Sequence, residues 1–174
     1  NRVMIKVSEF SPNFNRVLKL LLSEAFNEDH VAVVTGEADV AAAFSSLPFD
    51  HLLFTGSTEV GKHVMRSAAE NLTPVTLELG GKSPTIIDDK IPLSDVMDRI
   101  VFGKTLNAGQ TCTAPDYILC PASRRDEFVE SYQKTFTRMF PKLIENDDYT
   151  SVVNDRQYSR LQACLADAKS HGAT

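Results

Sequence analysis

The first eighty residues alternate between short apolar runs and longer amphipathic runs. Four short runs are strand-like, and three of them end at a glycine: Arg2–Val7, His30–Thr35, Asp50–Thr55 and Pro74–Leu79. The runs between them have helical spacing, and the first begins at Ser11-Pro12, a typical serine N-cap followed by proline. Strands that alternate with helices favour a parallel sheet with helices on its faces. The predicted fold class is therefore α/β.

The pattern changes near Gly80-Gly81, where we predict a domain boundary that separates residues 1–80 from 81–174. The second part begins with a strand at Ser83–Ile87 and contains a second strand at Tyr117–Cys120. Its predicted helices are Leu93–Leu106, Arg125–Phe140 and Val152–Lys169, and a loop follows the first of them.

Composition narrows the functional classes. Of the 174 residues, 43% are apolar, and the net charge is −5 with no long basic run, which argues against nucleic-acid binding. No apolar run approaches the roughly 20 residues of a membrane span. Three cysteines at irregular spacings predict neither a disulfide framework nor a metal site, and they favour a reducing, cytoplasmic compartment. Both ends of the sequence look truncated, so we expect the sequence to be an internal piece of a longer protein.

One cysteine has a distinctive setting. Cys112 lies among small and polar residues, between Gly109 and Pro115, which predicts a turn or loop. Loops on a rigid scaffold often carry catalytic groups, and a free thiol is strongly nucleophilic as thiolate. Cys120 and Cys164 lie in apolar runs and are predicted to be core residues.

Three further motifs could bind or activate ligands. Lys6 and Glu9 follow the first strand, where they could hydrogen-bond a ribose or form a solvated surface pair. Gly56 and Ser57 begin a helix whose N-terminus could bind phosphate or be an ordinary cap. Glu78 lies between two leucines. Burial would raise its pKa and make it a better base, whereas an edge-strand position would leave it in water.

These four motifs together resemble the aldehyde dehydrogenase superfamily. They are Lys-x-Ser-Glu, Phe-Thr-Gly-Ser-x-x-Val-Gly, Leu-Glu-Leu-Gly-Gly-Lys-Ser-Pro and Gly-Gln-x-Cys, in the family's order, and 34 positions separate Glu78 from Cys112. The segments around Glu78 and Cys112 are most similar to the class 3 and coniferyl aldehyde branch. The resemblance implies a Rossmann-like parallel sheet, the C-terminal part of the cofactor domain, followed by the start of an α/β catalytic domain.

The resemblance also implies residue roles in the NAD(P)-dependent oxidation of an aldehyde to a carboxylic acid. Cys112 matches the nucleophile, which forms a thiohemiacetal and then a thioester, and Glu78 matches the base that activates the hydrolytic water. The positions that match cofactor contacts are Lys6 and Glu9 at the adenosine ribose, Gly56 and Ser57 at the pyrophosphate, Val60 near the adenine, and Leu79 and Gly80 at the nicotinamide. A homodimer is likewise implied.

The resemblance leaves several questions open. Val7 stands where the family usually has proline, and the family's oxyanion asparagine and second cofactor glutamate fall outside this sequence. The segment by itself is therefore expected to be inactive. Glu9 should repel a 2′-phosphate and favour NAD, but NADP remains an alternative. Two alternative functions compete with this one: a coenzyme-A-acylating aldehyde dehydrogenase and a non-catalytic nucleotide-binding fragment. The presence of Glu78 argues against the acylating enzyme.

Overall fold

The computed structural model describes residues 1–173, and Thr174 lies outside the described residues. The chain falls into two compact units that divide between Leu79 and Gly80. The boundary predicted from the sequence lies one residue later. The interpretation of the two parts as a cofactor domain and a catalytic domain stays a prediction.

The first unit alternates four strands with three helices. The strands are β1 (Val3–Lys6), β2 (Val31–Val34), β3 (Leu52–Gly56) and β4 (Val75–Leu79), and the helices are α1 (Pro12–Ala25), α2 (Ala38–Ser45) and α3 (Thr58–Ala69). β1 pairs with β2 and β3 pairs with β4, and both pairs are parallel. Each pair is one β-α-β unit, in which the crossover helix returns the chain beside the strand it left. Within the described residues the strands pair two by two, and the parallel direction predicted from the sequence is confirmed.

The second unit contains a third parallel strand pair and three α-helices. Its regular elements are β5 (Ser83–Ile86), α4 (Leu93–Thr105), β6 (Pro115–Leu119), α5 (Arg125–Met139) and α6 (Asp155–Ser170), with short 3-10 helices at Leu106–Gly109, Ala122–Arg124 and Leu143–Glu145. β5 pairs with β6. A buried cluster forms around α4 from Ile87, Leu93, Met97, Ile100 and Val101. Aromatic side chains of α5 pack against this cluster, so α4, α5 and the strand pair form one core.

Most predicted elements are confirmed within a few residues, and two boundaries are corrected. α6 begins at Asp155 rather than Val152, because the Asn154 side chain accepts a hydrogen bond from the Gln157 N–H at 2.9 Å and caps the helix there. β6 begins at Pro115 rather than Tyr117, because Pro115 is already in register with Ser83 of β5.

The two cysteines predicted to be core residues differ in the structure. Cys120 is partly buried and packs against the α4 cluster, as predicted. The prediction for Cys164 is wrong, since its side chain is exposed. It lies on α6, a helix with no buried residue in the described chain, so the apolar residues of that helix do not form part of the core. Among residues 1–173, no helix is both long and apolar enough to cross a membrane.

Candidate active site

Cys112 lies in the turn that connects the end of α4 to β6, and its side chain is exposed. The loop position predicted from the flanking glycine and proline is confirmed. The thiol is therefore open to a reactant, while the segments before and after it are anchored by α4 and by the β5–β6 pair.

The backbone before Cys112 forms a left-handed turn. Asn107 has a φ of 52°, Ala108 has 54° and Gly109 has 76°. A left-handed conformation costs a non-glycine residue about 1–2 kcal/mol, and asparagine tolerates it better than alanine. A Cβ at Gly109 would also lie 3.0 Å from the carbonyl oxygen of Lys104. Gly109 indicates a turn in the sequence, but no residue pattern indicates the positive φ at Ala108, so the left-handed conformation is not predictable from the sequence.

Gly81 contacts the backbone of Cys112. A Cβ built on Gly81 would lie 2.7 Å from the Cys112 carbonyl oxygen, closer than real Cβ atoms approach, whereas a Cβ on Gly80 would have nothing within 4 Å. A glycine at position 81 therefore lets the nucleophile loop pack directly on the start of the second unit. Of these two adjacent glycines, Gly81 therefore makes the close backbone contact and Gly80 does not.

Lys82 and Asp116 form an ion pair beside the same contact. Lys82 Nζ lies 2.6 Å from Asp116 Oδ2, and joins the residue after Gly81 to the beginning of β6. The hydrogen bond from Lys82 lowers the pKa of Asp116, and the same bond raises the pKa of Lys82. The sequence motif contained Lys82, but its partner 34 positions away could not be identified from spacing.

Glu78 lies in β4, in register with Thr55 of β3. Its side chain is exposed, which agrees with the second of the two alternatives left by the sequence, a strand position open to water. The reason is the period of two along a strand: Val75, Leu77 and Leu79 are half-buried, whereas Thr76 and Glu78 are exposed. Leu79 thus takes part in packing, and the Glu78 carboxylate stands on the other face of the strand pair.

Ser57 caps α3. β3 ends at Gly56, and the Ser57 hydroxyl oxygen accepts a hydrogen bond from the Val60 N–H at 3.3 Å. The first N–H groups of a helix lack partners within it and carry its positive dipole end, so this turn is suited to an anion. The Val60 side chain is 48% exposed and stands on the first turn of α3, where it can contact a ligand.

Lys6 and Glu9 are brought together at the carboxyl end of β1. Lys6 Nζ lies 3.8 Å from a Glu9 carboxylate oxygen and donates a hydrogen bond to the Val7 carbonyl at 2.7 Å. The Lys6 side chain is 9% exposed, so a freely solvated pair does not describe it. Its ammonium group is held in place, and the Glu9 carboxylate remains accessible to a ligand hydroxyl. Among residues 1–173, no group of three or more His, Cys, Asp or Glu side chains is placed to hold a metal ion.

The chain is similar to known proteins along almost its whole length. A probable coniferyl aldehyde dehydrogenase of Pseudomonas aeruginosa is 62% identical over 174 residues, which is 100% of this chain and 37% of that protein. Aldehyde dehydrogenase family 3 member A2 of Mus musculus is 43% identical over 170 residues, covering 97% of this chain and 35% of its own length.

A solved structure of a Mycobacterium tuberculosis aldehyde dehydrogenase complexed with NAD+ superimposes with a TM-score of 0.85 at 31% identity, over 98% of this chain and 36% of that one. The chain thus spans little more than a third of the length of the relatives it matches. The sequence profile of the aldehyde dehydrogenase family matches residues 1–174. The chain therefore belongs to the aldehyde dehydrogenase family.

Proposed function

We propose that this chain provides the nucleophile, the general base and part of the cofactor site of an NAD(P)-dependent enzyme that oxidises an aldehyde to a carboxylic acid. The observation that carries the proposal is the exposed Cys112 thiol. It follows a left-handed turn, and the backbone of Cys112 packs against Gly81. An exposed thiol on an anchored loop is accessible to a carbonyl carbon and held in one place.

The residues of the first unit fit a dinucleotide. The Ser57-capped start of α3 offers N–H groups to a pyrophosphate, and the Glu9 carboxylate can accept hydrogen bonds from ribose hydroxyls while Lys6 donates one. Leu79 and Gly80 follow at the end of β4 and are assigned to the nicotinamide end. When bound, the cofactor supplies the hydride acceptor. The negative charge of Glu9 favours NAD over NADP, because a 2′-phosphate would be repelled.

The chemical steps of this chain belong to Cys112 and Glu78. The Cys112 thiolate adds to the aldehyde carbon and forms a thiohemiacetal, in which the C–S bond is made and the carbonyl oxygen becomes an alkoxide. The Cys112 N–H can donate a hydrogen bond to that oxygen. Departure of hydride restores the C=O bond and leaves a thioester on Cys112. Glu78 takes one proton from water, the remaining hydroxide adds to the thioester carbon, and the C–S bond breaks to release the carboxylic acid and the Cys112 thiolate.

The proposed substrate is an aromatic or medium-chain aldehyde. The relative from Pseudomonas aeruginosa is named for coniferyl aldehyde and is 62% identical to this chain over the 174 aligned residues, which supports an aromatic substrate. We further propose a cytoplasmic homodimer for the complete enzyme, in keeping with the reducing compartment indicated by the cysteines and with the class 3 resemblance.

The test is the formation of reduced nicotinamide by the full-length protein with NAD or NADP, coniferyl aldehyde and octanal. Cys112→Ala should abolish turnover, and Cys164→Ala is the matched control, because it removes another exposed free thiol far along the chain. Residual dehydrogenase activity of Cys112→Ala would reject the proposal. Glu78→Gln should slow thioester hydrolysis by about 10²–10⁴-fold and let an acylated Cys112 accumulate, which mass spectrometry can detect.

A further inference from the structure

The side chain of Gln110 joins the nucleophile loop to a distant segment of the chain. Its Nε2 donates a hydrogen bond to the Ser151 carbonyl at 3.1 Å, and its Oε1 accepts one from the Val153 N–H at 2.9 Å. These two bonds connect residues 41 and 43 positions apart. The amide thus pairs with the backbone of residues 151–153 as a strand neighbour would.

The same amide also closes the left-handed turn. Gln110 Nε2 donates a second hydrogen bond to the Asn107 carbonyl at 3.0 Å, which also accepts the Gln110 N–H at 3.0 Å. In return, the Asn107 side-chain amide donates to the Gln110 carbonyl at 3.2 Å. Both amide hydrogens of the Gln110 side chain and its oxygen are therefore used, some to hold the turn and some to tether it.

The left-handed turn needs such support. Residues in sparsely populated backbone regions persist only where the surrounding structure over-determines their conformation, and such sites cluster where chemistry requires a fixed geometry. Asn107 and Ala108 both have positive φ and lie just before the thiol. The side-chain hydrogen bonds of Gln110 link this turn to residues 151–153, outside the loop.

We propose that Gln110 is a positioning residue that holds Cys112 in its reactive geometry by tying the left-handed turn to residues 151–153. The inference rests on the proposed role of Cys112 as the nucleophile. Gln110 stands two positions before Cys112, so a shift of the turn moves the thiol directly. A misplacement of about 1 Å in a reacting group can cost on the order of 10²-fold in rate.

Two substitutions of Gln110 separate its donor and acceptor functions. Gln110→Glu keeps the shape and the acceptor oxygen but removes both donated bonds, because an ionised carboxylate accepts only. Gln110→Met has a similar length and removes the bonds in both directions. The matched control is Gln133→Glu, the same change at an exposed residue of α5 for which the described structure records no side-chain hydrogen bond.

The kinetic test measures single turnovers in the full-length protein, with protein in excess over aldehyde and saturating NAD. Both Gln110 variants should lower the rate constant of nicotinamide reduction by about 10- to 100-fold, with an unchanged amplitude and an unchanged KM for NAD. Gln133→Glu should match the unsubstituted protein. With saturating protein the amplitude is set by the aldehyde, and a smaller folded fraction does not change the rate constant. Normal rate constants in both variants would therefore overturn the positioning role.

Hydrogen exchange provides a readout that does not depend on catalysis. In Gln110→Met, the Val153 amide loses its acceptor and should exchange several-fold faster, whereas Gln110→Glu should retain more protection there. Unchanged exchange in Gln110→Met would show that the bond is not made. If the unsubstituted protein turned over no aldehyde while exchange still responded to Gln110→Met, the proposed function would fail, and Gln110 would be a structural clamp only.

Discussion

Gly81 is the position at which one added methyl group should displace the nucleophile loop. Its Cβ would lie 2.7 Å from a backbone oxygen of Cys112, which cannot swing away as a flexible side chain could. Gly81→Ala should therefore lower the free energy of unfolding by about 1–3 kcal/mol, as overpacking does. Urea unfolding of the full-length protein measures this change.

Gly80→Ala is the matched control for that measurement. A Cβ at position 80 meets nothing within 4 Å, so its effect on stability should stay within about 0.5 kcal/mol. Equal losses in the two variants would mean that the cost does not come from contact with Cys112. A neutral Gly81→Ala would mean that the loop moves aside freely.

At this scale, the sequence predicts the identity of reactive residues better than their surroundings. Gly109 and Pro115 were sufficient to predict that Cys112 lies on a loop. The sequence left the burial of Glu78 open, because two flanking leucines do not tell which face of a strand is covered. The contact of Gln110 with Ser151 joins segments 41 positions apart, and no local pattern signals it.

At the scale of the elements, α3 allows a specific prediction, because Ser57 both caps this helix and belongs to the proposed phosphate site. Ser57→Ala removes the hydrogen bond from Val60 and should cost about 1 kcal/mol of stability. Ser57→Asp keeps a good capping group but adds a negative charge. It should raise the KM for NAD on the order of tenfold or more, since two like charges 4 Å apart repel by roughly 1 kcal/mol in water and roughly 4 kcal/mol near a protein surface.

Asn154→Ala is the control for the cap of α3. Asn154 caps α6 through the Gln157 N–H in the same way, so its loss should cost a similar free energy of unfolding. Its KM for NAD should not change, because it belongs to the other unit and to no proposed cofactor contact. If Ser57→Asp left the KM for NAD unaltered, the phosphate site would lie elsewhere.

The Lys82–Asp116 pair, which joins the start of the second unit to β6, gives a pH dependence. The hydrogen bond from Lys82 lowers the pKa of Asp116 below its ordinary 3.8. A lowered pKa stabilises the folded state above pH 3.8, and this contribution disappears as the pH falls through the lower folded value. Lys82, with its pKa raised above 10.5, contributes below that pH and loses its effect as the pH rises through the folded value.

Asp116→Asn should therefore be less stable than the unsubstituted protein at pH 7, and the difference should shrink as the pH falls below about 4. Urea unfolding at several pH values in low salt measures it. Added salt should also reduce the difference, because both groups are accessible to solvent and are screened. A difference that stays constant down to pH 3 would contradict the role of the pair.

The order of elements was predictable from the sequence, whereas their ends and partners were less so. Glycine and proline mark where strands stop, and apolar spacing separates helices from strands. The start of α6 was missed because Val152 and Val153 continue its apolar pattern into a segment that the Asn154 cap excludes. Which strands pair with each other depends on hydrogen bonds between residues that are far apart in the sequence. Composition does not predict these partners.

At the scale of the whole molecule, the solvent-accessible surface area shows how much apolar surface these residues leave uncovered. The chain exposes 13082 Å². A single globular protein of 19.2 kDa would expose about 8,400 Å², and two separate globular bodies of half that mass about 10,200 Å² in total. The excess includes large apolar side chains of α1, such as Phe14 and Leu21, and of α6, such as Leu165. Isolated two-stranded sheets also have only marginal stability in water.

Residues 1–174 expressed alone should therefore bind the dye ANS strongly and unfold without a sharp transition, whereas the full-length protein should do neither. The physical reason is that the apolar faces of α1 and α6 need a cover that the residues described here do not provide. Fluorescence with ANS and calorimetry of both forms measure the difference. A cooperative transition of the isolated segment without dye binding would mean that these faces rearrange and bury themselves. A control variant, Leu21→Ser on the exposed face of α1, should reduce the dye signal of the segment, because it removes an exposed apolar side chain.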